Sequence, residues 1–69
     1  MATDSYALVV FGQVYRDEFK VWRGQGDGAV AVRGNKRQMM ARMRAAGGNR
    51  AGYFVYQTDK PVGATMKGI

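Results

Sequence analysis

The sequence predicts an α+β fold: a small single domain, β-β-β-α-β, with one helix packed on a mostly antiparallel four-stranded sheet. Three observations predict it. The first third of the chain is rich in β-branched and aromatic residues, as strands are. The middle carries helically spaced methionines between a capping residue and a glycine pair. The 69 residues suffice for one domain, 1–69, with an ordered core expected at about residues 5–60.

Three strands are expected before the helix. Tyr6 to Tyr15 is apolar and aromatic, and the polar run Arg16 to Glu18 follows it as a break. Phe19 to Arg23 is expected to pair back on the first strand as a hairpin. The glycine-rich stretch Gly24 to Gly28 is expected to be a turn, because Asp-Gly is a strong hairpin signal. Ala29 to Arg33 then forms a short third strand.

The helix is expected from about Lys36 to Ala46, because Asn35 is a good N-cap. Gly47-Gly48 ends it, since glycine adopts the left-handed cap conformation without steric cost. After a loop, Tyr53 to Gln57 is predicted to be the fourth strand. Pro61 is expected to close the regular structure, and a flexible tail is expected at residues 62–69.

The predicted first strand is apolar on both of its faces. Successive side chains alternate across a strand, so Leu8 and Val10 lie on one face and Val9 and Phe11 on the other. One helix covers only one face of a sheet. The other face is expected to meet a second copy of the chain, a partner protein or stacked bases. A symmetric homodimer is favoured, because such dimers are the commonest oligomers.

Charge is segregated along the chain. The net charge is +6, and from Gly28 to Thr58 there are six cations and no acidic residue. Small domains usually mix both signs, so this imbalance indicates a polyanionic partner: nucleic acid (DNA or RNA) or an acidic protein surface. Phosphate contacts are expected from all six of these cations, namely Arg33, Lys36, Arg37, Arg42, Arg44 and Arg50.

Aromatic residues alternate with the cations. Trp22 and Tyr56 are expected at the surface, where they would stack bases, because their polar tips tolerate water. Phe11, Phe19 and Phe54 are expected in the core or in a dimer interface. A phosphate site is also expected at the start of the helix, where free backbone amides attract anions beside two of the cations.

Catalytic chemistry has few candidates in this chain. It has no His, no Cys and a single serine, Ser5. Its closest acids, Asp17 and Glu18, adjoin on an expected turn with no evident group to shift their pKa. The sequence contains no set of residues with the spacing that is typical of metal ligands. We therefore expect no enzymatic activity, no metal and no cofactor.

These observations favour a basic, non-enzymatic nucleic-acid-binding protein that contacts phosphates with little sequence specificity. The alternative is a protein–protein interaction module, such as a virus- or mobile-element-encoded inhibitor of a host complex that binds its acidic or nucleic-acid-binding surface. A structural subunit of a ribonucleoprotein or virion is a third possibility. No stretch approaches the roughly 18 apolar residues of a membrane span, and no secretory signal is evident. The expected location is the cytoplasm, that of the host if the protein is virus-encoded.

Overall fold

The computed structural model describes residues 5–68 and shows one helix packed on a four-stranded antiparallel sheet, which confirms the α+β class. The element order is β-β-α-β-β, so the predicted order of three strands before the helix is wrong. The parts of the predicted domain at residues 1–4 and 69 lie outside the described residues. The elements are β1 (Tyr6–Arg16), β2 (Trp22–Gly34), α1 (Lys36–Ala46), a 3-10 turn (Asn49–Ala51), β3 (Tyr53–Gln57) and β4 (Thr65–Lys67).

β1 is one of the two inner strands of the sheet, with β2 as the other. The strand order is β3-β1-β2-β4, and every neighbouring pair is antiparallel. β1 pairs with β2 along its whole length, and its first five residues also pair with β3. Because β1 lies between them, β2 and β3 run parallel without pairing. The connection through α1 therefore passes across one strand.

The strand β2 corrects the largest error of the sequence prediction. Trp22–Gly34 is one continuous strand, where two strands and a turn at Gly24 to Gly28 were expected. The pairing skips residues of β2 at two β-bulges, opposite Leu8/Val9 and opposite Phe11/Gln13. Gly26 has a φ of +76°, a left-handed conformation that a glycine adopts readily at the second bulge. The glycine run thus belongs to an irregular strand and not to a turn.

The chain reverses between β1 and β2 around Asp17. Its Oδ1 atom accepts hydrogen bonds from the backbone N–H groups of Phe19 (2.8 Å) and Val21 (3.0 Å). Lys20 closes the turn with a φ of +61°. A tight reversal at these residues leaves Phe19 at the tip of the hairpin with 75% of its surface exposed. Phe19 therefore does not lie in the core, and the other expected place for it, a dimer interface, stays a prediction.

α1 has the bounds that the sequence predicts. The Asn35 side chain accepts a hydrogen bond from the Gln38 N–H (2.8 Å), and the Gln38 side chain accepts one from the Asn35 N–H (3.2 Å), which together form a capping box. Gly47 ends the helix in the left-handed conformation, with a φ of +118°. Met39 is the buried residue of α1, only 1% exposed, and anchors it to the sheet.

The helix covers one face of the sheet. A Cβ on Gly34 would stand 2.8 Å from the Met39 Cε atom, so Met39 packs directly on this end of β2. Gly34 is the cross-strand partner of Tyr6, and opposite residues of an antiparallel pair share a face. α1 therefore covers the face that carries Tyr6 and Leu8, which we call the helix face.

The main hydrophobic core lies on the opposite face, which we call the cluster face. Ala7, Val9 and Phe11 of β1 lie on it and are at most 3% exposed. They form one cluster with Val30 and Phe54. The sequence expectation that the second face of β1 must meet another molecule is therefore wrong for these residues, because the chain buries them itself. The homodimer stays a prediction, without this support.

The C-terminal segment completes the cluster face. Ala64 and Met66 pack against the cluster, and residues 65–67 form β4 beside the middle of β2. Backbone hydrogen bonds continue this pairing: the Gly63 N–H donates to the Val30 carbonyl (2.9 Å) and the Gly68 N–H to the Gly26 carbonyl (2.7 Å). The expectation that regular structure ends before residue 62 is therefore wrong. No helix within residues 5–68 is long and apolar enough to cross a membrane.

Candidate nucleic-acid interface

A cleft opens on the cluster face and reaches from one edge of the sheet to the other. Its volume is about 330 Å³, near the lower end of the range of small-molecule sites, about 300–1,000 Å³. Residues from β2, the 3-10 turn, β3 and the C-terminal segment line it, so the sheet curves enough for both edge strands to contribute. We call it the aromatic cleft, lined by Trp22, Arg23, Asn49, Phe54, Tyr56 and Lys67, with two glycines.

Glycines in β2 make room for this curvature. A Cβ on Gly24 would stand 2.6 Å from ring atoms of Phe11, and one on Gly28 would stand 2.8 Å from the Val9 Cγ1 atom. The Phe11 ring therefore lies directly on the backbone of β2. Bulges add to the local twist of a strand. The glycine run thus has a packing role, which a sequence pattern alone does not distinguish from a turn.

Aromatic packing holds the cleft walls in place. The Phe54 and Tyr56 rings are stacked, with centroids 6.3 Å apart and planes 19° apart. Phe54 also meets Phe11 edge to face, with centroids 5.4 Å apart. The Arg16 guanidinium lies 5.6 Å from the centroid of the Trp22 ring. Trp22 and Tyr56 are half-buried, so these aromatic surfaces are ordered and remain partly accessible.

Two cations accompany the aromatic residues. Lys67 is exposed, and the Arg23 side chain is 44% exposed, with its Nε atom 2.9 Å from the Asp17 Oδ2 atom. The backbone hydrogen bond from Val21, together with the bond from Arg23, holds the pKa of Asp17 below its usual value. The expectation that no group shifts the pKa of Asp17 is therefore wrong.

The hydroxyl group of Tyr56 stays protonated at neutral pH. Burial raises the pKa of Tyr56, and the nearby positive charge of Arg23 opposes that shift. A neutral phenol both donates and accepts hydrogen bonds. The cleft therefore combines aromatic surface, cationic charge and a neutral hydroxyl group.

The structure brings together some of the predicted binding residues. Trp22 and Tyr56, each expected to stack bases, line the same cleft although they lie on non-adjacent strands. Arg50 is exposed in the 3-10 turn, next to Asn49 of the cleft. Arg33 is half-buried, and its Nη1 atom donates a hydrogen bond to the Lys60 carbonyl. The roles of these predicted residues in binding, namely those of Trp22, Tyr56, Arg50 and Arg33, stay predictions.

The other predicted cations lie on α1, which packs on the helix face and not on the cluster face. All four of them are exposed, and α1 has no acidic residue. The predicted phosphate site at the start of α1 stays a prediction, but the backbone N–H of Gln38 there already donates a hydrogen bond to the Asn35 Oδ1 atom. Trp22 and Tyr56 therefore lie on the opposite face of the sheet from the four predicted cations of α1, which are Lys36, Arg37, Arg42 and Arg44.

Four cleft residues were missed by the sequence analysis. Arg23 and Lys67 lie outside the acid-free stretch, so the charge pattern did not single them out. Phe54 was assigned to the core, and it is indeed buried at 7% exposure while also lining the cleft. Asn49 carries no distinctive signal. The adjacency of Trp22 and Arg23 was the one available hint.

Comparison with protein-family models, with curated proteins and with solved structures finds no match for this chain. Within residues 5–68, no group of three or more His, Cys, Asp or Glu side chains is placed to hold a metal ion. The function proposed for this protein therefore rests on its own side chains and their arrangement.

Proposed function

We propose that this protein binds nucleic acid, DNA or RNA, through phosphate contacts of little sequence specificity and without enzymatic activity. One observation carries the proposal: α1 presents exposed cations that no acidic residue within residues 5–68 neutralises. An ordinary surface helix gains stability from pairing opposite charges three or four residues apart, and α1 has no such pairs. The proposed setting is the cytoplasm, that of the host if the protein is virus-encoded.

The arrangement of these cations suits a phosphate backbone. Arg37 and Arg44 are seven residues apart, so they lie on one side of α1 about two turns apart. Arg50, in the 3-10 turn that follows the helix in the chain, is a further exposed cation. Contacts of this kind recognise the charge of the phosphates and do not read the base sequence. Low sequence specificity follows from that chemistry.

Salt dependence is the measurement that tests phosphate binding. Four or five phosphate contacts lower affinity about 10²- to 10³-fold between 50 and 200 mM salt, because bound cations release counterions from the nucleic acid. We would measure it by fluorescence anisotropy with labelled single-stranded DNA, duplex DNA and RNA. Affinity that stays constant across the salt series would contradict the proposal.

A charge-matched pair of variants locates the phosphate-binding surface. The double variant Arg37→Gln/Arg44→Gln is expected to reduce the salt slope by about one unit for each phosphate-binding side chain that it removes. The control Lys20→Gln/Lys60→Gln removes the same charge at exposed positions outside α1. An equal reduction of affinity in both variants would show that net charge, and not the helix surface, determines binding.

The hairpin tip supports a second candidate function, a protein–protein interaction module. Phe19 and Val21 are 75% and 46% exposed there, and exposed apolar side chains of this kind can anchor an interface. Such a module would be a virus- or mobile-element-encoded inhibitor whose cations steer it to an acidic host surface. The variant Phe19→Ser separates the functions: unchanged nucleic-acid affinity with loss of inhibition of a host enzyme would favour the module.

A further inference from the structure

We propose, resting on the nucleic-acid binding already proposed, that the aromatic cleft holds one unstacked nucleobase. The protein then prefers single-stranded DNA or RNA to a duplex. Bases inside a duplex are stacked and paired, so they reach such a cleft only when they are flipped out of the helix. Bases of a single strand offer a free aromatic face without that cost.

The size of the cleft fits one base. Its volume of about 330 Å³ lies within the range of small-molecule sites and is sufficient for one planar ring system. It is lined by Trp22, Phe54 and Tyr56, and aromatic rings are the side chains on which single-stranded bases stack without regard to sequence. Stacking in the cleft therefore agrees with the low sequence specificity that is expected from phosphate contacts.

The walls of the cleft are ordered before a base arrives. Tyr56 is stacked on Phe54, and the Arg16 guanidinium lies against Trp22. Side chains that are already immobilised lose less conformational entropy on binding. Stacking on such preorganised rings therefore contributes to affinity with little ordering cost.

The polar residues of the cleft complement the groups attached to a base. Arg23 and Lys67 supply positive charge where the flanking phosphates would lie, and Arg50 is exposed next to the lining residue Asn49. Asp17 orients Arg23 through the bond at 2.9 Å. The Asn49 amide both donates and accepts, so it can meet the edge of any base. This combination of rings and cations favours a nucleotide over an apolar peptide as the occupant.

The wild-type protein itself reports on the cleft, because Trp22 is its single tryptophan. We would titrate it with a short single-stranded oligothymidylate, an oligouridylate and a blunt duplex at constant salt, and follow Trp22 fluorescence and anisotropy together. The single strands are expected to change Trp22 fluorescence at the concentrations at which they bind. The duplex is expected to bind more weakly and to leave that fluorescence unchanged.

Two matched tyrosine variants test the stacking. Tyr56→Leu is expected to weaken single-strand binding by about 5- to 150-fold and to leave duplex binding unchanged. Tyr53→Leu is the control, since Tyr53 is half-buried on the same strand but pairs with Val10 on the helix face. Tyr56→Phe keeps the ring and is expected to restore binding. Circular dichroism verifies that each variant folds. If a variant does not fold, the Trp22 titration of the wild-type protein tests base binding in the cleft.

The outcomes separate the two proposals. Equal affinity for single strands and duplex, or equal effects of Tyr56→Leu and Tyr53→Leu, would overturn the base-binding cleft. Salt-dependent binding that persists in the same experiment would leave the phosphate-binding proposal intact. If no nucleic acid binds at low salt, both proposals fail together.

Discussion

Replacing Gly24 with alanine tests the close contact between the backbone of β2 and the Phe11 ring. The new Cβ would stand 2.6 Å from the Cγ and Cδ1 atoms of Phe11, well inside the favourable carbon–carbon separation of about 3.5–4.0 Å. The ring has little room to move, because Phe11 is 3% exposed and packs on Phe54. The added methyl group must therefore displace the ring or bend β2.

The expected decrease in stability follows from two opposing effects. Overpacking a core costs about 1–3 kcal/mol, and the smaller conformational entropy of alanine in the unfolded chain offsets about 0.4–1 kcal/mol. The net destabilisation is on the order of 1–2 kcal/mol, which lowers the Tm by roughly 4–15 °C in a domain of this size. Such a domain has a total stability of about 3–10 kcal/mol, so the effect is large enough to measure.

The assay is equilibrium denaturation followed by Trp22 fluorescence, with Gly12→Ala as the control. A Cβ on Gly12 meets no atom within 4 Å, so this variant is expected to be neutral or stabilised by up to about 1 kcal/mol. A double-mutant cycle with Phe11→Leu isolates the interaction between the two positions. The smaller side chain leaves room for the methyl group, so the double variant is expected to be destabilised by less than the sum of the two single effects.

Two results would refute this reasoning. Gly24→Ala could prove as harmless as Gly12→Ala, or its effect could add fully to that of Phe11→Leu. Either result would mean that Gly24 lies in an open turn, as its sequence pattern indicates, and that the Phe11 ring does not rest on β2.

Three further predictions follow from the packing and electrostatics. Met39→Ala is expected to reduce the free energy of unfolding by about 2–5 kcal/mol, because Met39 is buried. Met43 is half-buried, so Met43→Ala is expected to reduce it by clearly less. Equal reductions of the free energy of unfolding, measured by denaturation, would contradict the anchoring of α1 through Met39. Lys20→Gly is expected to raise the Tm, because Lys20 has a φ of +61° and a left-handed residue other than glycine costs about 1–2 kcal/mol; a lower Tm would refute the turn geometry. The stability contributed by the lowered pKa of Asp17 is fully present above the ordinary value of 3.8 and is lost as the pH falls through the lower folded-state value. Wild type and Asp17→Asn are therefore expected to converge in acid denaturation. A stability difference that does not shrink as the pH falls from neutral into the acid range would contradict this prediction.

Short-range signals account for the parts of the fold that the sequence predicted well. The bounds of α1 were predicted because Asn35 and Gly47 act on backbone groups within one turn of the helix. β3 was predicted because its apolar and aromatic residues lie between clear breaks. The segment at 65–67 was missed, since a three-residue strand has too short a pattern to recognise.

Two of the six side chains that line the candidate site were also predicted, but as separate residues. Trp22 and Tyr56 were expected to stack bases because each combines an aromatic ring with a polar tip. Arg23 and Lys67 were missed, since their importance comes from their position beside those rings. The segregated charge directed attention to α1 instead, on the opposite face of the sheet.

The sequence by itself determined the α+β class, the bounds of the helix and the excess of positive charge, because each follows from composition or from residues close together in the chain. The tertiary structure alone decided that Gly24 belongs to a strand, since its role depends on the Phe11 ring thirteen positions away. It also decided that the edge strands β3 and β4 share one cleft. That depends on strand order and curvature, which arise from contacts between distant residues and leave no local pattern in the sequence.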